Sequence, residues 1–148
     1  MAWLPRRAMV VPIDFSDDSL ATLATAKEMV DETDHIHVIH VLPIWEPNEP
    51  GVVWEMVDEQ SRLDHATEAL KKKMDEQGMA GVQIVVRFGD PGHEIAGYAE
   101  EIEAELIVAS SHGRSGLTRL LIGSTAERVA RLAHCPVLIL KKPKKKAD

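Results

Sequence analysis

A chain of 148 residues with 17 basic and 24 acidic side chains, net −7, has the length of one domain and can bury roughly two thirds of its unfolded surface, so neither a metal nor a disulfide is needed for folding. The lone cysteine, Cys135, excludes an internal disulfide framework and suits a reducing, cytoplasmic compartment. The acidic balance argues against duplex nucleic acid, no apolar run approaches a membrane span, and the opening MAWLPRRAMVVPIDF is broken by Pro5, Arg6 and Arg7 and lacks the order of a secretory signal.

Along the chain, short β-branched runs alternate with helical patterns. Ala8 to Ile13 reads as a first strand that ends at Asp14. Asp17 to Val30 follows as a helix through Leu20, Leu23, Ala24 and Met29, with Ser16 placed to cap it and Asp17 and Asp18 at the favourable end of its dipole. The second strand spans His35 to Leu42. Leu42 to Gly51, with its prolines and Trp45, is the long irregular segment, open to reading as a lid or as an ordinary connection.

Val53, Val57, Leu63, Leu70 and Met74 recur at three-to-four spacing and predict a helix from Val53 to Gln77, which Gly78 can end. Val82 to Phe88 is the third strand. Asp90-Pro91 reads as an N-cap followed by proline in the first turn of a helix through Ile95, Ala99 and Ile102. Glu105 to Ser110, a helix from Ser124 to Ala133, and Pro136 to Leu140 complete the series. The basic tail, 141–148, reads as a frayed, solvated end. Alternation of this kind predicts an α/β fold: a single-domain, doubly wound, five-stranded parallel sheet with helices on both faces, of Rossmann-like type.

In such a sheet ligands lie at the carboxyl ends of the strands, near the point where strand order reverses. Those ends carry Pro12, Ile13 and Asp14 after the first strand, Val41 in the second, and Ala109 and Ser110 after the fourth. Asp14 suits a ribose-hydroxyl acceptor and a turn or capping carboxylate equally. Gly113 and Gly123 enclose nine residues, RSGLTRLLI. A helix opening at Ser124 offers unpaired amides and a positive dipole end to a phosphate. STAE, Ser124 to Glu127, also matches a capping box, and the two uses are compatible. Arg114 and Arg119 suit an anion site or a solvated loop.

Two other nucleotide motifs are missing. No Gly-x-x-x-x-Gly-Lys-Ser/Thr occurs, and the first strand runs into DFSDDS rather than Gly-x-Gly-x-x-Gly. In HIHVIH, His35 and His37 share one strand face and His40 takes the other, which argues against a metal site. His112 has no nucleophile with a recognisable base and orienting acid beside it, so a loop hydrogen bond is its expected role and no catalytic residue is assigned.

These stretches together resemble the universal stress protein family: VVPIDFSDDS, HVIHVL, GDPGHEIAGYAEE and SHGRSGLTRLLIGSTAERVARLAHCPVLIL. The ATP-binding branch carries glycine, two residues, glycine, nine residues, glycine, then Ser or Thr. Gly113, the nine-residue spacing, Gly123 and Ser124 fit, and Ser110 stands at the first glycine. The resemblance implies that Pro12, Ile13, Asp14 and Val41 line an adenosine pocket, with Asp14 on the ribose and the Val41 backbone near adenine. It implies that Ala109, Ser110, Gly113, Arg114, Gly123, Ser124 and Thr125 hold the phosphates of ATP with Mg2+, and that PVLIL forms a homodimer interface. The expected function is an adenine-nucleotide-binding stress-response switch. A slow ATPase and a nucleotide-free dimeric interaction module are the alternatives.

Overall fold

A computed structural model describes residues 3–44, 59–111 and 122–141. Its strands are β1 (Met9–Pro12), β2 (Ile36–Leu42), β3 (Gln83–Phe88), β4 (Leu106–Ser110) and β5 (Val137–Leu140). The α-helices among the described residues are α1 (Asp17–Glu28), α2 (Glu59–Glu76), α3 (Pro91–Glu101) and α4 (Ser124–Leu132). All strand pairs are parallel, in the order β3-β2-β1-β4-β5. The expected doubly wound α/β sheet is therefore the observed one. No helix among the described residues is long and apolar enough to cross a membrane.

The nearly continuous apolar strands have the pattern of a sheet covered on both faces, and the burial follows it. Met9 and Val11 of β1, Ile36 and Val38 of β2, and Leu106 and Val108 of β4 join Leu20, Leu23 and Ala26 of α1 and Leu70 and Met74 of α2 in one core. On the opposite face, Val10, Ile39 and Ile107 meet Ile95, Tyr98 and Ala99 of α3 and Val129 of α4. Fully burying one such Leu or Ile side chain contributes about 1.5–3 kcal/mol, so each helix is held mainly by its strand-facing stripe.

Helix boundaries follow local chemistry. Ser16 Oγ accepts from the Ser19 amide at 3.1 Å, and Asp90 Oδ2 accepts from the His93 amide at 3.0 Å, so both expected caps form. Gly78, at φ 68, ends α2 in the left-handed region. The expected start of that helix at Val53 and Val57, and the segment around Trp45, lie outside the described residues. His35 belongs to a 3-10 turn (Thr33–His35) instead of opening β2, and α1 ends at Glu28 instead of reaching Val30.

The β3 edge is charged: Arg87 pairs with Glu101 and Glu94 and lies 4.9 Å from the centre of the Tyr98 ring. A charged residue on an edge strand discourages further strand addition.

Two consequences can be measured. Gly92, buried in the first turn of α3, has no side chain where a Cβ would meet Cγ, Cδ and Cβ of Arg128 at 2.5, 2.6 and 2.7 Å. The same arginine donates to Asp90 Oδ1 at 2.7 Å, so α3 and α4 touch at a point that admits only glycine. Gly92→Ala is expected to cost about 1–3 kcal/mol by urea unfolding; a variant as stable as the parent would show that α4 can shift freely.

His37 Nδ1 lies 2.8 Å from the Tyr98 hydroxyl beneath α3. Burial, and secondarily the neighbouring His35, holds its imidazole below the ordinary value of 6.5. The unfolded chain therefore binds the proton more readily. The stability linked to this group is complete above pH 6.5 and is lost as pH falls from there through the lowered folded value. Urea midpoints at pH 7.5 and pH 5 should differ less in His37→Gln than in the parent, and an equal difference would assign the acid sensitivity elsewhere.

Candidate functional site

β1 is flanked by β2 on one side and β4 on the other, and the connections that follow the neighbours β1 and β4 run in opposite directions, to β2 and to β5. Such a reversal opens a crevice at the carboxyl ends of the strands. A cleft of about 310 Å³ lies there. Pro12, Ile13 and Asp14 reach it from the end of β1, Val41 from β2, and Ala109 and Ser110 from β4. Ser124 and Thr125 enter from the first turn of α4, and Pro91 and Ile95 from α3. A larger hollow of about 720 Å³ lies against α1 and Met79 and is lined by none of these strand-end residues.

The residues expected at the adenosine end are thus brought together. Ile13 is buried, while Pro12, Asp14 and Val41 are half-buried. Asp14 starts a tight turn: its Oδ1 accepts from the Ser16 amide at 3.0 Å and the Ser16 hydroxyl at 2.5 Å, and its amide donates to Ser19 Oγ at 3.2 Å. Both uses open to Asp14 in the sequence remain compatible, since a carboxylate offers about four lone-pair directions. Phe15 between them stands at φ 67, a conformation that non-glycine residues adopt only when held.

What holds that turn was not visible in the sequence. His40 Nδ1 lies 2.7 Å from the Ile13 carbonyl, and the His40 and Phe15 rings meet edge to face at 4.8 Å. His40 and Ser19 both line the cleft. Their only sequence signal is the period-two alternation of β2 and the position of Ser19 in the first turn of α1. His37, on the opposite sheet face, is committed to Tyr98, so the histidines of HIHVIH serve separate places.

At the phosphate end one expectation is corrected. Ser124 does not cap α4. Gly123 is the N-cap, with φ −61 and ψ 155, and no side chain makes the cap hydrogen bond. The Gly123 carbonyl already accepts from the Glu127 amide at 3.0 Å, which places Ser124 inside the first turn. Glu127 Oε1 accepts from Arg131 at 2.8 Å, so the capping box is not formed. Ser124 and Thr125 are exposed at the rim, and Gly123 is buried with its amide donating to the Ser111 carbonyl at 2.7 Å.

Ser110 closes β4 opposite Leu140, in extended backbone rather than the left-handed region, so a serine stands at this corner without strain. Gly113 and Arg114, with His112 and Arg119, lie outside the described residues. Among the described residues no group of three or more His, Cys, Asp or Glu could hold a metal ion.

Comparison with known proteins agrees with this architecture. The model of the universal stress protein family matches residues 5–141. Universal stress protein MJ0531 of Methanocaldococcus jannaschii is 41% identical over 146 residues, covering 94% of this chain and 84% of its own. The solved structure of MJ0577, from the same organism, superposes with a TM-score of 0.75 at 26% identity over 96% of this chain and 100% of that one. The universal stress protein from Archaeoglobus fulgidus, solved in complex with dAMP, gives a TM-score of 0.53 at 25% identity over 94% of this chain and 100% of that one. With its fold, its strand-end cleft and a family match over nearly its whole length, the chain belongs to the universal stress protein family.

Proposed function

We propose that this protein binds an adenine nucleotide, ATP with Mg2+, in the strand-end cleft and acts as a nucleotide-dependent switch in a stress response. The observation that carries the reading is the convergence of Asp14, Val41, Ser110 and the uncapped start of α4 on one cleft of about 310 Å³. A helix start whose first amides have no side-chain cap favours anionic oxygens, through those amides and through the positive end of the dipole. The dAMP complex of the Archaeoglobus fulgidus relative supports the ligand class.

In this reading Pro12, Ile13 and Val41 enclose the adenosine and Asp14 accepts from the ribose. Ala109, Ser110, Gly123, Ser124 and Thr125 face the phosphates, joined by Gly113 and Arg114. Magnesium bound mostly by phosphate oxygens and water needs no dedicated protein cage. A lone cysteine, Cys135, suits a reducing, cytoplasmic setting, and burial raises its thiol pKa, which lowers its reactivity.

Calorimetric titration with ATP and magnesium tests the reading. Gly123 has ordinary extended backbone, so Gly123→Val tests space rather than strain. Its affinity should fall tenfold or more, at a stability cost of about 1 kcal/mol for a poorer N-cap residue. Ser124→Ala should weaken binding only in part and leave stability within about 0.5 kcal/mol, because its hydroxyl is not the cap. A Gly123→Val variant that binds ATP like the parent would remove the phosphates from this helix end.

We further propose a homodimer through β5. Val137 to Leu140 carry no charge and are half-buried along their length, and β5 pairs with β4 at one end of the sheet order. An uncharged apolar edge is a template for another strand. Val137 is packed against the α3–α4 core, so Ile139→Lys is the cleaner probe. Light scattering should give a dimer for the parent and a monomer for Ile139→Lys; a dilute parent monomer would overturn the interface.

A further inference from the structure

We propose that His40 is the positioning residue for Asp14: its Nδ1–H and its ring hold the Asp14–Phe15 turn in the geometry that accepts a ribose hydroxyl. The inference rests on the nucleotide reading of the cleft and adds a residue to it.

The Ile13 carbonyl can only accept, so at 2.7 Å the His40 Nδ1 must carry the hydrogen. That bond grips the residue directly before Asp14. The Phe15 ring, directly after it, packs edge to face on the imidazole at 4.8 Å. Asp14 is therefore clamped on both sides by one side chain of β2. The need for a clamp is visible in the backbone, since Phe15 occupies the left-handed region without being glycine. The local bonds of the turn, Asp14 to Ser16 and Ser19, arise within α1 and its entry. They fix the shape of the turn. The β1–β2 ladder adds the Ile13 amide to the Ile39 carbonyl at 2.8 Å, which ends at Ile13. From Asp14 onward, the contact of the Phe15 and His40 rings joins the turn to β2.

The effect should appear in recognition of the sugar. ATP and 2′,3′-dideoxy-ATP, each with magnesium, are titrated calorimetrically into the full-length protein and its variants, with thermal unfolding run on every sample. The parent should prefer ATP by roughly tenfold, the scale of one hydrogen bond to a charged group. In His40→Ala that preference should fall to near one while dideoxy-ATP affinity hardly changes. Asp14→Ala, which removes the acceptor, should produce the same loss, and the double variant should lose no more than either single one. Asparagine places an N–H the same number of bonds from Cβ as histidine Nδ1, and glutamine places it one bond further. His40→Asn should thus keep the preference and His40→Gln should lose it. If His40→Ala does not fold, the Asn and Gln pair decides alone.

A folded His40→Ala that still prefers ATP, an additive double variant, or an Asn variant no better than Gln would overturn the clamp. A parent that binds neither nucleotide would overturn the nucleotide reading itself, and the clamp with it. A parent that binds both equally would overturn the ribose role of Asp14.

Discussion

β1 hydrogen-bonds to β2 along one edge and to β4 along the other, and the rest of the molecule is arranged around that double pairing. Its side chains divide between two cores, Met9 and Val11 on one face and Val10 on the other, so the strand cannot slip by one residue without exposing both sets. Because the chain leaves β1 toward β2 and later returns on the far side to β4, the helices that follow cover opposite faces. The gap between the first turns is the strand-end cleft. Pro12, at the end of β1, has no amide to extend the ladder toward β4, and Asp14 turns the chain into α1 just where that gap opens.

Each face of the sheet does a different task. The face of α3 and α4 walls the cleft: Ile95 and Val129 belong both to the core beneath these helices and to the cleft lining. Cleft shape is thereby tied to core packing, and the narrow contact of Gly92 on Arg128 sets how closely α4 approaches. The face of α1 and α2 acts from behind. Its core takes in Phe15, which rests on His40, so the turn carrying Asp14 is held from the side away from the ligand.

The start of α4 illustrates a trade between stability and binding. A helix capped by a serine side chain gains roughly 0.5–2 kcal/mol but spends an amide on its own hydroxyl. Gly123 gives up only a few tenths of a kcal/mol of that gain: its extended backbone brings Ser124 into the first turn and leaves the leading amides without a side-chain cap. At the start of α3, Asp90 caps the helix through the His93 amide, and its carboxyl is held below its ordinary value by the hydrogen bonds from Arg128 and from that amide. The two helices pack side by side and both reach the cleft, yet one begins with a side-chain cap and the other without.

Period and punctuation determined most of the fold from sequence alone. Five β-branched runs, Ser16 and Asp90 before helical patterns, and Gly78 after one are local signals, and each acts where it stands. The strand-end residues Pro12, Ile13, Asp14, Val41, Ala109 and Ser110 were legible for the same reason, since a parallel sheet sends its ligand site to the carboxyl ends. STAE misled at Ser124 because a capping box and a glycine-capped helix share those letters, and the backbone angles of Gly123 choose between them. Tertiary structure alone decided the partners of His37 and His40. Side chains three residues apart on a strand point to opposite faces, and what each meets, Tyr98 or the Ile13 carbonyl, comes from an element distant in sequence. The sequence carries the alternation, but the distance that turns a histidine into a clamp exists only once β2 is laid beside β1.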